Sequence, residues 1–191
     1  MKNKQHTIIC VMAESSAGKD SLVNYVCKKN NYKQLISYTT RPRRVNEGDT
    51  HVFVNEEDYK KMLVAGDIVA YTNINGFHYW STVDQLYHSD FYIIDPNGVE
   101  SLKKLNLPNL HLVTIYIDVP FEVRLQRAIN RGDDLEIYKS RCESEFVQFQ
   151  NMKRYTIPDY TISNVEFSES CNALERIIEK EELKSNYDYH S

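Results

Sequence analysis

No stretch of this sequence is long and apolar enough to span a membrane, which takes about 20 apolar residues in a helix. The opening Met1-Lys2-Asn3-Lys4-Gln5-His6 is polar, and the apolar run behind it is too short for a secretory signal. Both absences point to a cytoplasmic protein with no membrane partner. Cysteine is sparse and scattered. Cys10, Cys27, Cys142 and Cys171 form no Cys-x-x-Cys pair, and no His-rich cluster accompanies them. That argues against a zinc site or a disulfide framework and leaves buried, reduced thiols as the expectation. Positive charge is not in excess: 23 Lys and Arg face 27 Asp and Glu, so no nucleic-acid surface is expected. The chain shows no internal repeat and no low-complexity segment. Its 191 residues suit one domain, with room for small inserted pieces.

What is present is a phosphate-binding turn. Thr7-Ile8-Ile9-Cys10-Val11-Met12 is apolar and β-branched and reads as a buried strand. Behind it stand Ala13, Glu14, Ser15, Ser16, Ala17, Gly18, Lys19, Asp20 and Ser21, then a helix to about Asn30-Asn31 with Leu22, Val23 and Val26 at helical spacing. Strand, small-residue turn with Gly-Lys, helix is the context of a P-loop. Small residues let the backbone N–H groups converge on one anion, and the positive end of the following helix adds to the attraction. Lys19 would bridge the β- and γ-phosphates. The pattern asks for Gly at position 13 and a hydroxyl at position 20, where this chain has Ala13 and Asp20. Asp20 is a good hard-oxygen ligand for Mg²⁺ but brings negative charge toward phosphates; Ser21 carries the nearest hydroxyl. The competing reading is an ordinary helix N-terminus with a solvated lysine.

Along the rest of the chain, residues 34–40 have strand propensity and lead into Arg41-Pro42-Arg43-Arg44, which cannot lie in a central strand. Residues 51–54 read as a short strand. A helix is predicted over 56–65, with Asn55 as N-cap and Gly66 closing it. Residues 68–74 and 77–80 read as strands joined by Asn75-Gly76, and Ser81-Thr82 starts a short helix to Tyr87. This mostly β insertion spans 38–88. An α/β rhythm then resumes: strand 91–94, helix 99–105, strand 112–117, helix 120–131, helix 135–153, strand 160–162 and helix 168–184, with a frayed tail from Ser185. The predicted fold is α/β, a parallel sheet flanked by helices. Its core covers 1–37, 89–131 and 159–184, and a helical lid covers 132–158. In such sheets ligands bind at the C-terminal ends of strands, where the P-loop, Asp95 and the segment after Ile117 fall.

Phosphoryl transfer needs positioned positive charge more than covalent help. Arginines stand in two groups, Arg41, Arg43 and Arg44, and Arg124, Arg127, Arg131 and Arg141. One could clamp an acceptor phosphate and the other the donor phosphates, against the plainer reading of solvated loop and helix faces. Arg127 and Arg131 at i, i+4 repel unless an anion lies between them. Asp95 ends an apolar strand, as a water-mediated Mg²⁺ ligand or as a helix N-cap, the latter made awkward by Pro96.

Several segments together resemble the guanylate kinase family: Ser37-Tyr38-Thr39-Thr40-Arg41-Pro42-Arg43-Arg44, Phe53-Val54-Asn55-Glu56-Glu57-Asp58-Tyr59, Gly76-Phe77-His78-Tyr79-Trp80-Ser81-Thr82, Asp95-Pro96-Asn97-Gly98, Arg127-Ala128-Ile129-Asn130-Arg131-Gly132 and Tyr160-Thr161-Ile162-Ser163-Asn164. The resemblance covers roughly residues 7 to 180 in the right order. It implies a kinase transferring phosphate from ATP–Mg²⁺ to a nucleoside monophosphate, GMP or dGMP first, as a monomer or homodimer. Arg41, Arg44 and Tyr79 are implied on the acceptor phosphate, and Ser37, Ser81 and Asp95 in the base site. Lys19, Arg127, Arg131 and Arg141 are implied on the donor phosphates and Asn164 near adenine; Asp20, Ser21 and Asp95 are the metal candidates by their own chemistry. His51 stands where the family has an acceptor-binding Tyr, Ala70 where it has a guanine-reading Glu, and Ile93 where it has a first Asp. Asp20 also resembles the ribose 1,5-bisphosphate phosphokinases. A non-catalytic guanylate-kinase-like scaffold module is the alternative of another class.

Overall fold

The computed structural model describes residues 5–43, 48–74 and 76–190. Its centre is β1 (His6–Ala13), whose residues from Ile8 onward are all buried. Alternation along a strand sends successive side chains to opposite faces. Ile9, Val11 and Ala13 accordingly meet α1 (Lys19–Asn30) and α7 (Phe167–His190) through Leu22, Val23, Val26, Leu174 and Ile178. Ile8, Cys10 and Met12 face the other side. There they pack with Leu86 of α3 (Val83–Tyr87), Val99 and Leu102 of α4 (Pro96–Leu105), and Phe149 and Met152 of α6 (Leu135–Tyr155).

Five parallel strands form the main sheet in the order β2-β7-β1-β8-β9, where β2 is Gln34–Leu35, β7 Phe91–Ile93, β8 Leu110–Asp118 and β9 Tyr160–Ser163. The predicted α/β class with helices on both faces is what is observed. α5 (Phe121–Arg131) follows β8 and ends at Gly132 in the left-handed region.

The single strand predicted over 34–40 is two. Leu35 is buried in the main core, so β2 stays with the main sheet, while Thr39 is buried in a second sheet reached two residues later. That sheet runs β4-β3-β6-β5, with β3 Tyr38–Thr39, β4 Val52–Phe53, β5 Ile68–Ile74 and β6 Phe77–Thr82. α2 (Glu56–Ala65) lies beside it, capped by the Asn55 side chain and closed by Gly66 as predicted. Asn75 of the predicted turn lies outside the described residues. One side chain ties the insertion's two ends together. Gln85 donates Nε2 to the Ile36 carbonyl at 2.8 Å where the chain enters, and its Oε1 accepts from the Thr82 N–H at 3.0 Å where the chain leaves. Thr82 is the N-cap of α3 and completes a capping box with Gln85, so β6 extends through Thr82 where a helix start was predicted.

Two further boundaries moved for local reasons. α4 begins at Pro96, three residues early, because Pro at the first helical position needs no N–H partner. α7 continues to His190, past the predicted fraying point. Three of the four thiols are buried as expected, but Cys142 on α6 is only half-buried. Burial pushes the Cys10 thiol up to about 12 and the Cys27 thiol to about 11, which makes both poor nucleophiles. Among the described residues no helix is long and apolar enough to cross a membrane.

Candidate active site

The P-loop leaves β1 at Ala13 and turns through two left-handed residues, Ser16 (φ 63°) and Gly18 (φ 83°), before α1 starts at Lys19. Successive turns of this kind point backbone N–H groups into one concavity. Gly18 is required twice over. A Cβ there would stand 2.7 Å from the Asn164 amide nitrogen, on a backbone that side chains rarely adopt. Gly18→Ala is expected to cost about 1–2 kcal/mol in backbone strain alone and to push Asn164 off the loop. A lowered melting temperature with lost ATP affinity would show both effects; an unchanged protein would contradict the geometry.

The loop is braced from outside. Asn164 donates Nδ2 to the Ala17 carbonyl at 2.7 Å, and Arg127 donates to the same carbonyl at 3.1 Å and to the Asn164 carbonyl at 2.7 Å. Arg127 therefore engages main-chain carbonyls. Arg131, four residues on, pairs with Asp133 and donates to the Ser16 hydroxyl at 3.1 Å. The guanidinium beside Asp133 holds that carboxyl below the usual carboxylate range. The like-charge conflict expected between Arg127 and Arg131 is thus relieved by different partners and not by one shared anion.

A second brace was missed from the sequence. Glu14 lies beside the buried Arg124, with 3.2 Å between Arg124 Nη2 and Glu14 Oε1, and its other oxygen accepts from the Tyr116 hydroxyl at 2.7 Å. Lys153 Nζ stands 3.7 Å from the same carboxylate. Arg124 also donates to the Ser15 and Val119 carbonyls. Burial first, then the Glu14 carboxylate, raises the Tyr116 hydroxyl's pKa, so it stays a donor. The readable signal was an acidic residue inside a phosphate loop, a charge that needs a fixed cation to be tolerated there.

Lys19 turns its ammonium to Asp20 at 3.1 Å, at the mouth of the loop. Among the described residues no three His, Cys, Asp or Glu side chains are grouped to hold a metal. Mg²⁺ keeps waters and takes one or two carboxylates plus phosphate oxygens. Asp20 and Ser21 fit such a role. Asp95 is less available, because its Oδ1 accepts from the Gly98 N–H at 2.9 Å as the N-cap of α4. The cap reading holds, and Pro96 assists it.

The insertion brings most acceptor-side candidates together. Arg41, buried, donates Nε to the Tyr79 hydroxyl at 3.0 Å and lies over the Phe53 ring. Ser37 Oγ and His51 Nδ1 are 2.9 Å apart, and the His51 and Tyr79 rings meet edge to face at 5.5 Å. Tyr79 and Ser81 share one face of β6, with His78 and Trp80 on the other. There Tyr59 stacks on His78, and Tyr38 on Trp80, which accounts for part of the tyrosine count. Ser81 is buried with its hydroxyl 3.5 Å from the Val69 carbonyl. Ala70 is buried at φ 50° where β5 and β6 slip register. Arg44 lies outside the described residues. Arg141 is half-buried on α6.

Comparison with known proteins gives one family. The family model described as guanylate kinase matches residues 4–181. The chain is 32% identical over 202 residues to the guanylate kinase of Rickettsia prowazekii, covering 100% of the chain and 99% of that protein. It is 28% identical over 192 residues to the Escherichia coli K12 guanylate kinase, covering 94% of the chain and 90% of that protein. A guanylate kinase crystal structure from Anaplasma phagocytophilum shares the fold with a TM-score of 0.67 at 19% identity, over 94% of this chain and 87% of that one.

Proposed function

The chain belongs to the guanylate kinase family and is a nucleoside monophosphate kinase, and from that premise we propose that it moves the γ-phosphoryl group of Mg²⁺–ATP onto GMP or dGMP. An acceptor phosphate oxygen, already anionic, attacks the γ-phosphorus. The bond to the β–γ bridging oxygen breaks, and ADP leaves with that electron pair. No general base is required, so the chain's task is placement and charge. Lys19, Arg131 and Arg141 serve the donor phosphates; Mg²⁺, which Asp20 and Ser21 would hold, would supply electrostatic stabilisation there. Arg127 and Asn164 hold the loop in shape. The buried Asn164 Oδ1, without a hydrogen-bond partner among the described residues, suits an adenine amino group. Arg41, Arg44, Tyr79 and His51 serve the acceptor phosphate, and Ser37, Ser81 and Asp95 the base. The cytoplasm, where ATP is abundant, is the proposed setting.

The observation that carries this reading is the loop itself: two left-handed residues and a lysine at a helix start, at the C-terminal end of a central parallel strand. A coupled ADP-release assay with Mg²⁺–ATP tests it over GMP, dGMP, AMP, CMP, UMP, dTMP and ribose 1,5-bisphosphate. Signal with GMP or dGMP is expected, suppressed by a chelator. Signal with another acceptor alone would keep the kinase and move the substrate to the chemistry that buried Ala70 allows. Silence across the panel, together with absent ATP binding, would favour the scaffold alternative.

A further inference from the structure

One lid carboxylate touches the P-loop. Glu145, on α6, accepts from the Ser15 backbone N–H at 2.8 Å with one oxygen and from the Ser15 hydroxyl at 2.7 Å with the other. A carboxylate that takes two donors from one residue fixes rotation as well as distance. α6 presents one stripe to the body of the protein, marked by buried Tyr138, Phe149 and Met152, and Glu145 lies on it. The Tyr138 ring is buried, and burial raises its hydroxyl's pKa to about 12. Arg141 stands one turn before Glu145, at the i, i+4 spacing that puts two side chains on the same helix face. Its charge also reaches Asp133, the partner of the Arg131 that donates to Ser16.

We infer that Glu145 is a positioning residue for phosphoryl transfer: by clasping Ser15 it sets the rotation of α6 on the P-loop and so turns Arg141 toward the donor phosphates. The inference rests on the donor-side role proposed above for Arg141. Glu145 touches no phosphate in this scheme. A carboxylate beside polyphosphate would repel it, and Ser15's two donors neutralise that charge locally. The clasp closes only when α6 lies against the loop, so the arginine is aimed in the closed arrangement alone. Aiming of this kind acts on kcat more than on ATP binding.

The test is a double-mutant cycle in the ADP-release assay, with melting curves on every variant. Glu145→Ala should lower kcat on the order of 10- to 100-fold, with the KM for ATP within about threefold. Glu145→Gln keeps an acceptor for the N–H and a partner for the hydroxyl, and should keep at least about a third of wild-type kcat. In an Arg141→Ala background, Glu145→Ala should cost less than about twofold more, because both changes remove the same interaction. Wild-type kcat in Glu145→Ala, with Arg141→Ala impaired, would overturn the inference and leave the donor-side reading intact. So would equal losses from Glu145→Ala in both backgrounds. Wild-type kcat in Arg141→Ala would instead remove the donor-side reading of that arginine, and the inference with it. A melting temperature lowered in Glu145→Ala with kcat unchanged would make the contact purely structural and also overturn the inference.

Discussion

Replacing Lys19 by Ala should reduce kcat about 10²–10³-fold or more while the melting temperature stays close to that of the parent protein. Lys19 is the first residue of α1, directly after left-handed Gly18, so its ammonium is delivered to the mouth of the loop by a rigid helix start. Its ion pair with Asp20 is solvent-exposed, and such pairs contribute less than about 1 kcal/mol. The fold therefore has little to lose. Transfer has much to lose, because negative charge moving from the γ-phosphoryl group to the β–γ bridging oxygen would have no fixed cation from the loop. Lys19→Arg should not rescue, since a planar fork cannot occupy the place of a compact ammonium. Full activity in Lys19→Ala would remove the P-loop assignment.

Arg124→Ala should be the most destabilising single change in the site, costing about 3–5 kcal/mol. For a chain of this size that is a fall in melting temperature of about 6–20 °C. Arg124 is 7% exposed and Glu14 15%. Removing the guanidinium strands a carboxylate inside, which the Tyr116 hydroxyl and the more distant Lys153 compensate in part. It also releases the Ser15 and Val119 carbonyls. The cause can be isolated. Adding Glu14→Gln to Arg124→Ala removes the stranded charge and should recover part of the loss, whereas Glu14→Gln alone should destabilise mildly. If the double variant melts lower than Arg124→Ala, charge burial is not the cause. ATP binding should weaken along with stability, because the loop's first residues hang on this pair.

The layered fold was legible because its strands and helices carry strong periodicities. β1, β8 and the face of α1 could be read from apolar spacing alone. The same holds for Asn55 and Gly66, whose caps need only local chemistry. What could not be read depended on tertiary burial. The run 34–40 has uniform strand propensity, and only the burial of Leu35 in one core and Thr39 in another divides it. In the candidate site, Lys19, Gly18 and Arg41 were singled out by motif. Arg127 was found for its charge, yet it meets carbonyls, and spacing cannot distinguish a phosphate from a peptide oxygen. The pairing of Glu14 with Arg124 and the contact of Glu145 were hidden for the opposite reason: an acid's partner is not sought at an anion site, and each acid is tolerated because donors surround it.

The single amide of Gln85 has a wider consequence. Because it joins the carbonyl of Ile36 to the N–H of Thr82, the second sheet's stretch of chain begins and ends at one point. A segment whose ends meet can be exchanged without re-routing the chain around it. On the roles proposed above, most of acceptor selection is packaged as a cartridge, with Asp95 left on the chassis that carries the P-loop. Chimaeras cut at Ile36 and Thr82 should shift acceptor preference while ATP affinity stays close to that of the parent.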